Sequence, residues 1–367
     1  MPFSFDALRR RPDLEGPDLV AVDAADRLIL DESAASRAAL PDGTLVVIGD
    51  THGALTLAAA DAGARGIRVH QDELLGERAL AANAAEAGLD GTFTSLSLGA
   101  DLLRGARVVL LRLPRSLRAL ADVAGLIALH ADPGVEVFAG GRIKHMALAM
   151  NDVLRERFDR VDVSHARQKS RVLLARGPHD GAVPIPDEAE VDGIHVRAVG
   201  GAFAGASIDI GTRLLLAHLP APRGDEAIDL ACGTGVVAAA LAVRHPSLHV
   251  LACDQSAVAV ASARATAEAN GVADRVRVER DDVLGAQPDA STSFIALNPP
   301  FHAGAALADG LAPRMFADAA RVLRPGGELW TVWNSALQYR PTLERIVGPT
   351  RQVARDRKFT VTVSAKR

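Results

Sequence analysis

The residues best suited to chemistry in this 367-residue chain form one short run, Asn298-Pro299-Pro300-Phe301-His302, behind the apolar Phe294-Ile295-Ala296-Leu297. An apolar run that stops at Asn-Pro-Pro reads as a buried parallel strand whose exit is forced to turn. The two prolines fix φ and delete backbone donors, so the turn is stiff. Asn298 then stands at the C-terminal end of a strand, where open α/β sheets bind their ligands. Its amide oxygen and the carbonyl of Pro299 offer two acceptors to one –NH2 group. Phe301 adds a flat apolar face on which a base can stack. The chemistry this suits is attack by a planar amine whose protons are held and whose lone pair is aimed.

A second constellation supplies the other half of such a reaction. Asp229-Leu230-Ala231-Cys232-Gly233-Thr234-Gly235 lies between a strand and a helix, and its glycines let a ligand approach the backbone at the first strand–helix crossing. A nicotinamide or flavin fingerprint wants a third glycine where Ala238 stands. Asp229 instead suits a cofactor with a cationic amino group. Asp254, followed by Gln255, ends the next strand and can accept both ribose hydroxyls of an adenosine. Asp281-Asp282 ends the third, and Asp282, before the apolar Val283, is the candidate for the adenine amino group. One such acid is readily a turn or cap residue. Three at successive strand ends beside a glycine turn together specify S-adenosylmethionine. The expected cofactor contacts are Asp229, Ala231, Cys232, Gly233, Thr234, Gly235, Asp254, Gln255, Asp281, Asp282, Val283 and Asn298, with no metal.

The elements that must position these residues occur twice. Thr44–Ile48, the turn to Gly53, a helix Ala54–Ala62, a strand Ile67–His70, a helix Leu74–Ala87 closed by Gly88 and a strand Arg107–Leu111 make one series. Ala227–Leu230, the turn to Gly235, a helix Val236–Arg244, a strand Leu248–Cys253, a helix Ser256–Ala269 closed by Asn270-Gly271, and strands at Val276–Glu279 and before Asn298 make the other. Gly53 and Gly235 are 182 residues apart, Gly88 and Gly271 183, and Pro114 and Pro300 186. The chain therefore reads as two tandem Rossmann-like, doubly wound α/β domains, residues 1–183 and 184–367, joined near Gly177-Pro178 and Pro184-Ile185-Pro186. In this alignment Val47 stands where the second copy has Asp229, Gln71 where it has Asp254, and Arg112-Leu113-Pro114-Arg115 where it has Asn298 to Phe301. The first copy keeps the scaffold without the acids or the amine-holding turn, and is expected to be catalytically silent.

Residues 1–40 read as a lead-in with a solvated Arg9-Arg10-Arg11. Gly140-Gly141-Arg142-Ile143-Lys144-His145-Met146 is expected to enter an amphipathic helix reaching about Phe158. A basic segment follows, with strand-like runs at Val161–Val163 and Arg171–Leu174. Arg142, Lys144, Lys169 and Arg171 are candidates for RNA phosphates, although strand edges also use such residues to stay soluble. The composition, 49% hydrophobic and 23% charged, fits substantial cores, and 4% aromatics requires Ala/Val/Leu packing. A net charge of −4 excludes a wholly basic nucleic-acid coat but not a local basic face. Cys232 and Cys253 cannot staple a disulfide scaffold, Met1–Arg11 has no signal-peptide core, and no apolar run spans a bilayer. A cytoplasmic monomer without membrane contact is expected.

With these motifs the chain resembles the class I S-adenosylmethionine-dependent methyltransferases. Among them it is similar to the RsmC/RlmG-type ribosomal RNA guanine-N2 methyltransferases with a "methyltransferase small" catalytic domain. The resemblance rests on Phe203-Ala204-Gly205, Asp209-Ile210-Gly211-Thr212-Arg213-Leu214-Leu215-Leu216, the Asp229–Gly235 loop, Asp254, Asn298–His302 and Gly326-Gly327-Glu328-Leu329. Trp333–Tyr339 and Lys358-Phe359-Thr360-Val361 fit that group's C-terminal end. The resemblance implies tandem methyltransferase-like domains with a degenerate first copy that recognises RNA. It implies a flipped guanine of ribosomal RNA or a ribosomal subunit, its N2 gripped by Asn298 and Pro299 and its ring stacked on Phe301 beside His302. Asn-Pro-Pro-Phe alone serves N6-adenine and protein glutamine methylation equally well. A non-catalytic RNA-binding or ribosome-assembly protein on a methyltransferase shell is the reading from another class.

Overall fold

In the computed structural model the chain divides into two compact units, Met1–Ile185 and Pro186–Arg367. The structure describes residues 3–16, 19–300 and 305–367, with side chains from 310 onward in the last stretch. The first unit contains β1 (Leu45–Ile48), β2 (Ile67–His70), β3 (Phe93–Ser95), β4 (Val108–Arg112), β5 (Glu136–Arg142), β6 (Phe158–Val163) and β7 (Ser170–Pro178). The second opens with a hairpin, β8 (Asp187–Val191) and β9 (Ile194–Ala198). Its sheet is built from β10 (Glu226–Leu230), β11 (His249–Asp254), β12 (Val276–Arg280), β13 (Thr292–Leu297), β14 (Leu323–Asn334), β15 (Thr350–Arg355) and β16 (Phe359–Ala365).

The two seven-stranded sheets have the same order, β3-β2-β1-β4-β5-β7-β6 and β12-β11-β10-β13-β14-β16-β15. In each, the first five strands run parallel, and the last two pair antiparallel. The strand order reverses direction beside β1 and beside β10, which opens a crevice at the C-terminal ends of those strands. The registers there are the same. Ile48 is level with His70 and Leu111, and Leu230 with Cys253 and Leu297. The residues that follow, Gln71 and Arg112 in one unit and Asp254 and Asn298 in the other, therefore occupy matching positions.

Alanine does much of the packing. The helix Val236–Arg244 is buried from Val236 through Ala242, so it is apolar all round, as a helix enclosed by its domain must be. Trp330 and Trp333 are buried with satisfied ring nitrogens, donating to Glu328 Oε2 at 2.9 Å and Thr362 Oγ1 at 3.2 Å. Both are core residues of the sheet. The helix expected to reach Phe158 ends at Arg155, and Phe158 is the buried first residue of β6. Gly177-Pro178, read as linker, ends β7. Pro178 pairs with Phe158 of β6, beyond the last β5 pair at Glu136–Arg176, so its missing N–H costs no bond to β5.

Candidate functional site

The glycine loop leaves β10 through Ala231, Gly233 and Gly235, all with positive φ (57°, 54° and 73°). A Cβ on Gly235 would lie 2.7 Å from that of Ala263, so the helix Ala257–Ala269 can pack there only against glycine. A Cβ on Gly233 would meet no atom within 4 Å, which leaves open space for a ligand to approach. The Gly233 N–H donates to Asp254 Oδ2 at 3.0 Å, and the Ser256 N–H donates to Asp254 Oδ1 at 3.0 Å. These bonds hold the Asp254 carboxylate beside the loop, half-buried. Next to it, Gln255 Oε1 is buried without a protein partner. An adenosine with donating hydroxyls fits this set.

Asp229 and Asp281 have internal partners. Asp229 is 3% exposed and accepts the Ala238 N–H at 3.0 Å, beneath the loop. Burial, reinforced by the charge of Asp254, pushes its carboxyl up to about 7. Asp281 accepts the N–H groups of Asp282 (2.8 Å) and Ala286 (2.9 Å), which folds the turn after β12. Asp282 is ion-paired to Arg314 of the helix Ala305–Val322, a partner that sequence reading did not supply. Val283 follows with φ 60°. Cys232 and Cys253 interlock through the Cys232 N–H and Cys253 carbonyl at 3.0 Å; burial pushes both thiols up, and they are inert core groups.

Asn298 follows β13 directly, with Pro299 buried and Pro300 exposed. Its Nδ2 donates to Thr212 Oγ1 at 2.8 Å and Asp209 Oδ2 at 3.2 Å, while Oδ1 is buried with no partner among the described residues. A buried acceptor costs free energy unless something donates to it, so the site is built to receive an N–H. Phe301 and His302 lie outside the described residues. Asp209 and Thr212 belong to the motif singled out above but had no role assigned. The available signal was Asp before Gly211-Thr212, an N-cap pattern.

The corresponding crevice of the first unit is crossed by the chain's own N-terminal segment. His52 stands where the second unit has Thr234, is 5% exposed, and has Nε2 3.4 Å from Asp13 Oδ2. Asn83 clips the two together, donating to the carbonyls of His52 and Arg9 (both 2.8 Å) and accepting the Arg9 N–H (3.0 Å). Arg112, in the place of Asn298, donates to Asp23 at 2.8 Å and Asp26 at 2.7 Å. Burial works against its charge, but the two carboxylates hold the guanidinium well above its ordinary value. Burial also pushes Asp26 up to about 6, against the pull of Arg112. The stretch expected as a lead-in is thus part of this unit, including a helix Ala24–Glu32 begun by an Asp23/Asp26 capping box.

The basic candidates converge. Arg142 pairs with Ser170, Gly141 with Arg171, and the Ile143 N–H donates to Lys169 O at 2.9 Å. Arg142, Lys144, Lys169 and Arg171 therefore cluster at adjoining ends of β5 and β7. Desolvation and the positive field of Arg115, Lys144 and Arg142 push His145 below its ordinary value. Arg142 Nε is buried without a protein partner.

Two family models match the chain, a "Methyltransferase small domain" over residues 193–363 and an "RLMG N-terminal domain" over residues 2–179. A Streptomyces coelicolor protein named ribosomal RNA large subunit methyltransferase G is 35% identical, over 100% of this chain and 99% of its own length. The chain belongs to the ribosomal RNA large subunit methyltransferase G family. A Pseudomonas aeruginosa member is 34% identical over 100% of this chain and 98% of its own. Among solved structures, the T. thermophilus 16S rRNA guanine-N2 methyltransferase RsmC, determined with AdoMet and guanosine, covers 100% of both chains with a TM-score of 0.77 at 22% identity. It shares the tandem fold. Membership in the methyltransferase G family also gives the two sheets their expected character, class I methyltransferase domains in series.

Proposed function

We infer that this protein transfers a methyl group from S-adenosylmethionine to the exocyclic N2 of a guanine in large-subunit ribosomal RNA. The methyltransferase activity, its cofactor and its RNA substrate accord with the family to which the chain belongs. The observation that carries the chemistry is Asn298, whose Nδ2 is fully engaged while its Oδ1 waits for a donor. An acceptor held this way selects a substrate that presents N–H.

When bound, S-adenosylmethionine supplies an electrophilic methyl group. Asp254 and Gln255 would hold the ribose, Gly233 would let the cofactor approach the backbone, and Asp282 with Val283 would border the adenine. Asn298 Oδ1 and the Pro299 carbonyl accept the two N2 protons and orient the lone pair. As the nitrogen is alkylated its N–H groups grow more acidic, so these hydrogen bonds strengthen where charge develops. The alkylated nitrogen then loses a proton readily, and no strong base is required. The basic cluster at Arg142, Lys144, Lys169 and Arg171 supports a role for the first unit in gripping RNA phosphates.

The test is transfer of labelled methyl to purified ribosomal RNAs and subunits, followed by nucleoside analysis. N2-methylguanine in large-subunit RNA is the expected product. N6-methyladenine, or label on a protein glutamine, overturns the reading.

A further inference from the structure

Asn298 serves as an acceptor only if its amide is turned the right way round, and the residue alone does not decide this, because its oxygen and nitrogen are nearly alike in size. The neighbours decide it. Asp209 caps the helix Ile210–Leu216, its Oδ1 accepting the N–H groups of Gly211 at 2.9 Å and Thr212 at 3.2 Å. Asp209 Oδ2 accepts the Thr212 hydroxyl proton. A hydroxyl has one proton to give, so Thr212 Oγ1 can only accept from Asn298 Nδ2, 2.8 Å away. The same Nδ2 lies 3.2 Å from Asp209 Oδ2. Both neighbours are acceptors. The flipped amide would press Oδ1 against a carboxylate and a spent hydroxyl.

We propose that Asp209 and Thr212 are positioning residues that lock the Asn298 amide with its oxygen toward the methyl-accepting nitrogen. The chain is directional, from Asn298 N–H to the Thr212 oxygen and from the Thr212 hydroxyl to the Asp209 carboxylate. Donating toward an anion withdraws the amide proton and enriches Oδ1, which strengthens it as an acceptor. The helix cap thereby reaches the reacting centre through one intermediate side chain, across 86 residues from Thr212 to Asn298. This inference rests on the role proposed above for Asn298.

Four variants of the full-length protein test it: Asn298→Ala, Thr212→Val, Thr212→Ser and Asp209→Asn. Thr212→Val keeps the branched shape and removes the hydroxyl. It should lower kcat by about ten- to a hundredfold, the scale of a misplaced catalytic group, with KM for RNA and Kd for S-adenosylmethionine within about twofold of the parent. Thr212→Ser restores the hydroxyl and should recover kcat to within a few-fold. Asp209→Asn still caps the helix, so its Tm should stay near the parent while kcat falls like that of Thr212→Val. Parental kcat in Thr212→Val beside a slow Asn298→Ala overturns the clamp and leaves the function standing. Equal loss in Thr212→Ser and Thr212→Val marks a packing role, and a selective loss of cofactor affinity in Thr212→Val marks a cofactor contact; either overturns the proposal. Parental turnover in Asn298→Ala removes the function reading itself.

Discussion

The two units share one sheet order and level strand ends, yet the groups at those ends differ: Asn298 Oδ1 has no partner among the described residues, whereas Arg112 at the matching position is held by carboxylates of the chain's own N-terminal segment. Asp254 and Asn298 are matched by Gln71 and Arg112. Among the described residues, Gln255 Oε1 and Asn298 Oδ1 of the second unit are buried without a hydrogen-bond partner, as is His52 Nδ1 of the first. In the first, Arg112 is saturated by Asp23 and Asp26, and His52 meets Asp13. The acid under the loop has also moved rather than vanished. Asp229 of the second unit accepts the Ala238 N–H from within β10. In the first unit Asp50, three residues later in the matching loop, accepts the N–H groups of Leu55 at 3.1 Å and Thr56 at 2.7 Å, and Thr56 stands where the other copy has Ala238. Supporting a helix start therefore needs an acid near the loop. Binding a ligand needs, in addition, that the rest of the chain stay away.

The sharpest way to break this contrast is to treat matching positions alike. Asn298→Ala should lower turnover by on the order of a hundredfold or more, with cofactor affinity nearly unchanged. Arg112→Ala, at the matching position, should leave the turnover of the folded protein intact. Single-turnover rates measured beside cofactor titrations separate the two; comparable losses of rate in both variants sink the asymmetry.

For the cofactor, Asp254→Ala should weaken S-adenosylmethionine binding about ten- to a hundredfold, or about 1.5–3 kcal/mol for a charge-assisted hydrogen bond. Gln71→Ala should not change it. Calorimetry on the parent should saturate at one equivalent per chain, and a second equivalent would mean that the first crevice still binds.

Removing Arg112 strands two carboxylates, so Arg112→Met should lose about 1.5–3 kcal/mol of stability in denaturant unfolding, the scale for hydrogen bonds to charged groups. An unchanged midpoint would show that the N-terminal segment holds without this pair.

The smallest effect lies in pH. The folded pKa of Asp229 is raised to about 7, so the folded state binds more protons than the unfolded one between about pH 4 and 7, and this residue's contribution falls as pH rises through that window. Asp229→Asn keeps an oxygen for the Ala238 N–H and cannot ionise. Without cofactor, its Tm relative to the parent should rise from pH 5 to about pH 7 and level off above that. A flat difference would mean that Asp229 titrates like an exposed acid.

Much of the scaffold could be read in the sequence because its determinants are local. Runs such as Val46-Val47-Ile48 and Ile295-Ala296-Leu297 became fully buried strands. The helices Leu74–Ala87 and Val236–Arg244 have the expected bounds, marked by Gly88 and Gly235 at positive φ. The β8–β9 hairpin was legible too, since Asp192-Gly193 between two alternating runs is a hairpin turn, and it went unused. What escaped is non-local. Nothing near Asp209 announces a partner 89 residues away in Asn298. Nor does the polar, Pro- and Asp-rich N-terminus show that Arg9, Asp13 and Asp23 close a crevice. Asp282 could be chosen by position, whereas its pairing with Arg314 depends on where a later helix packs.

The N-terminal segment across the first unit's crevice also sets how that crevice could be opened to a ligand. Returning an aspartate to position 71 or an asparagine to position 112 would restore side chains but not space, because the N-terminal strap would still lie across the opening. Clearing the strap without those changes would expose His52 and leave Arg112 without its counter-ions. Each single change therefore meets an obstacle that only the other removes. The strap and the side chains beneath it would have to change together before this crevice could take a ligand, whereas the basic cluster of Arg142, Lys144, Lys169 and Arg171 at the ends of β5 and β7 depends on neither change.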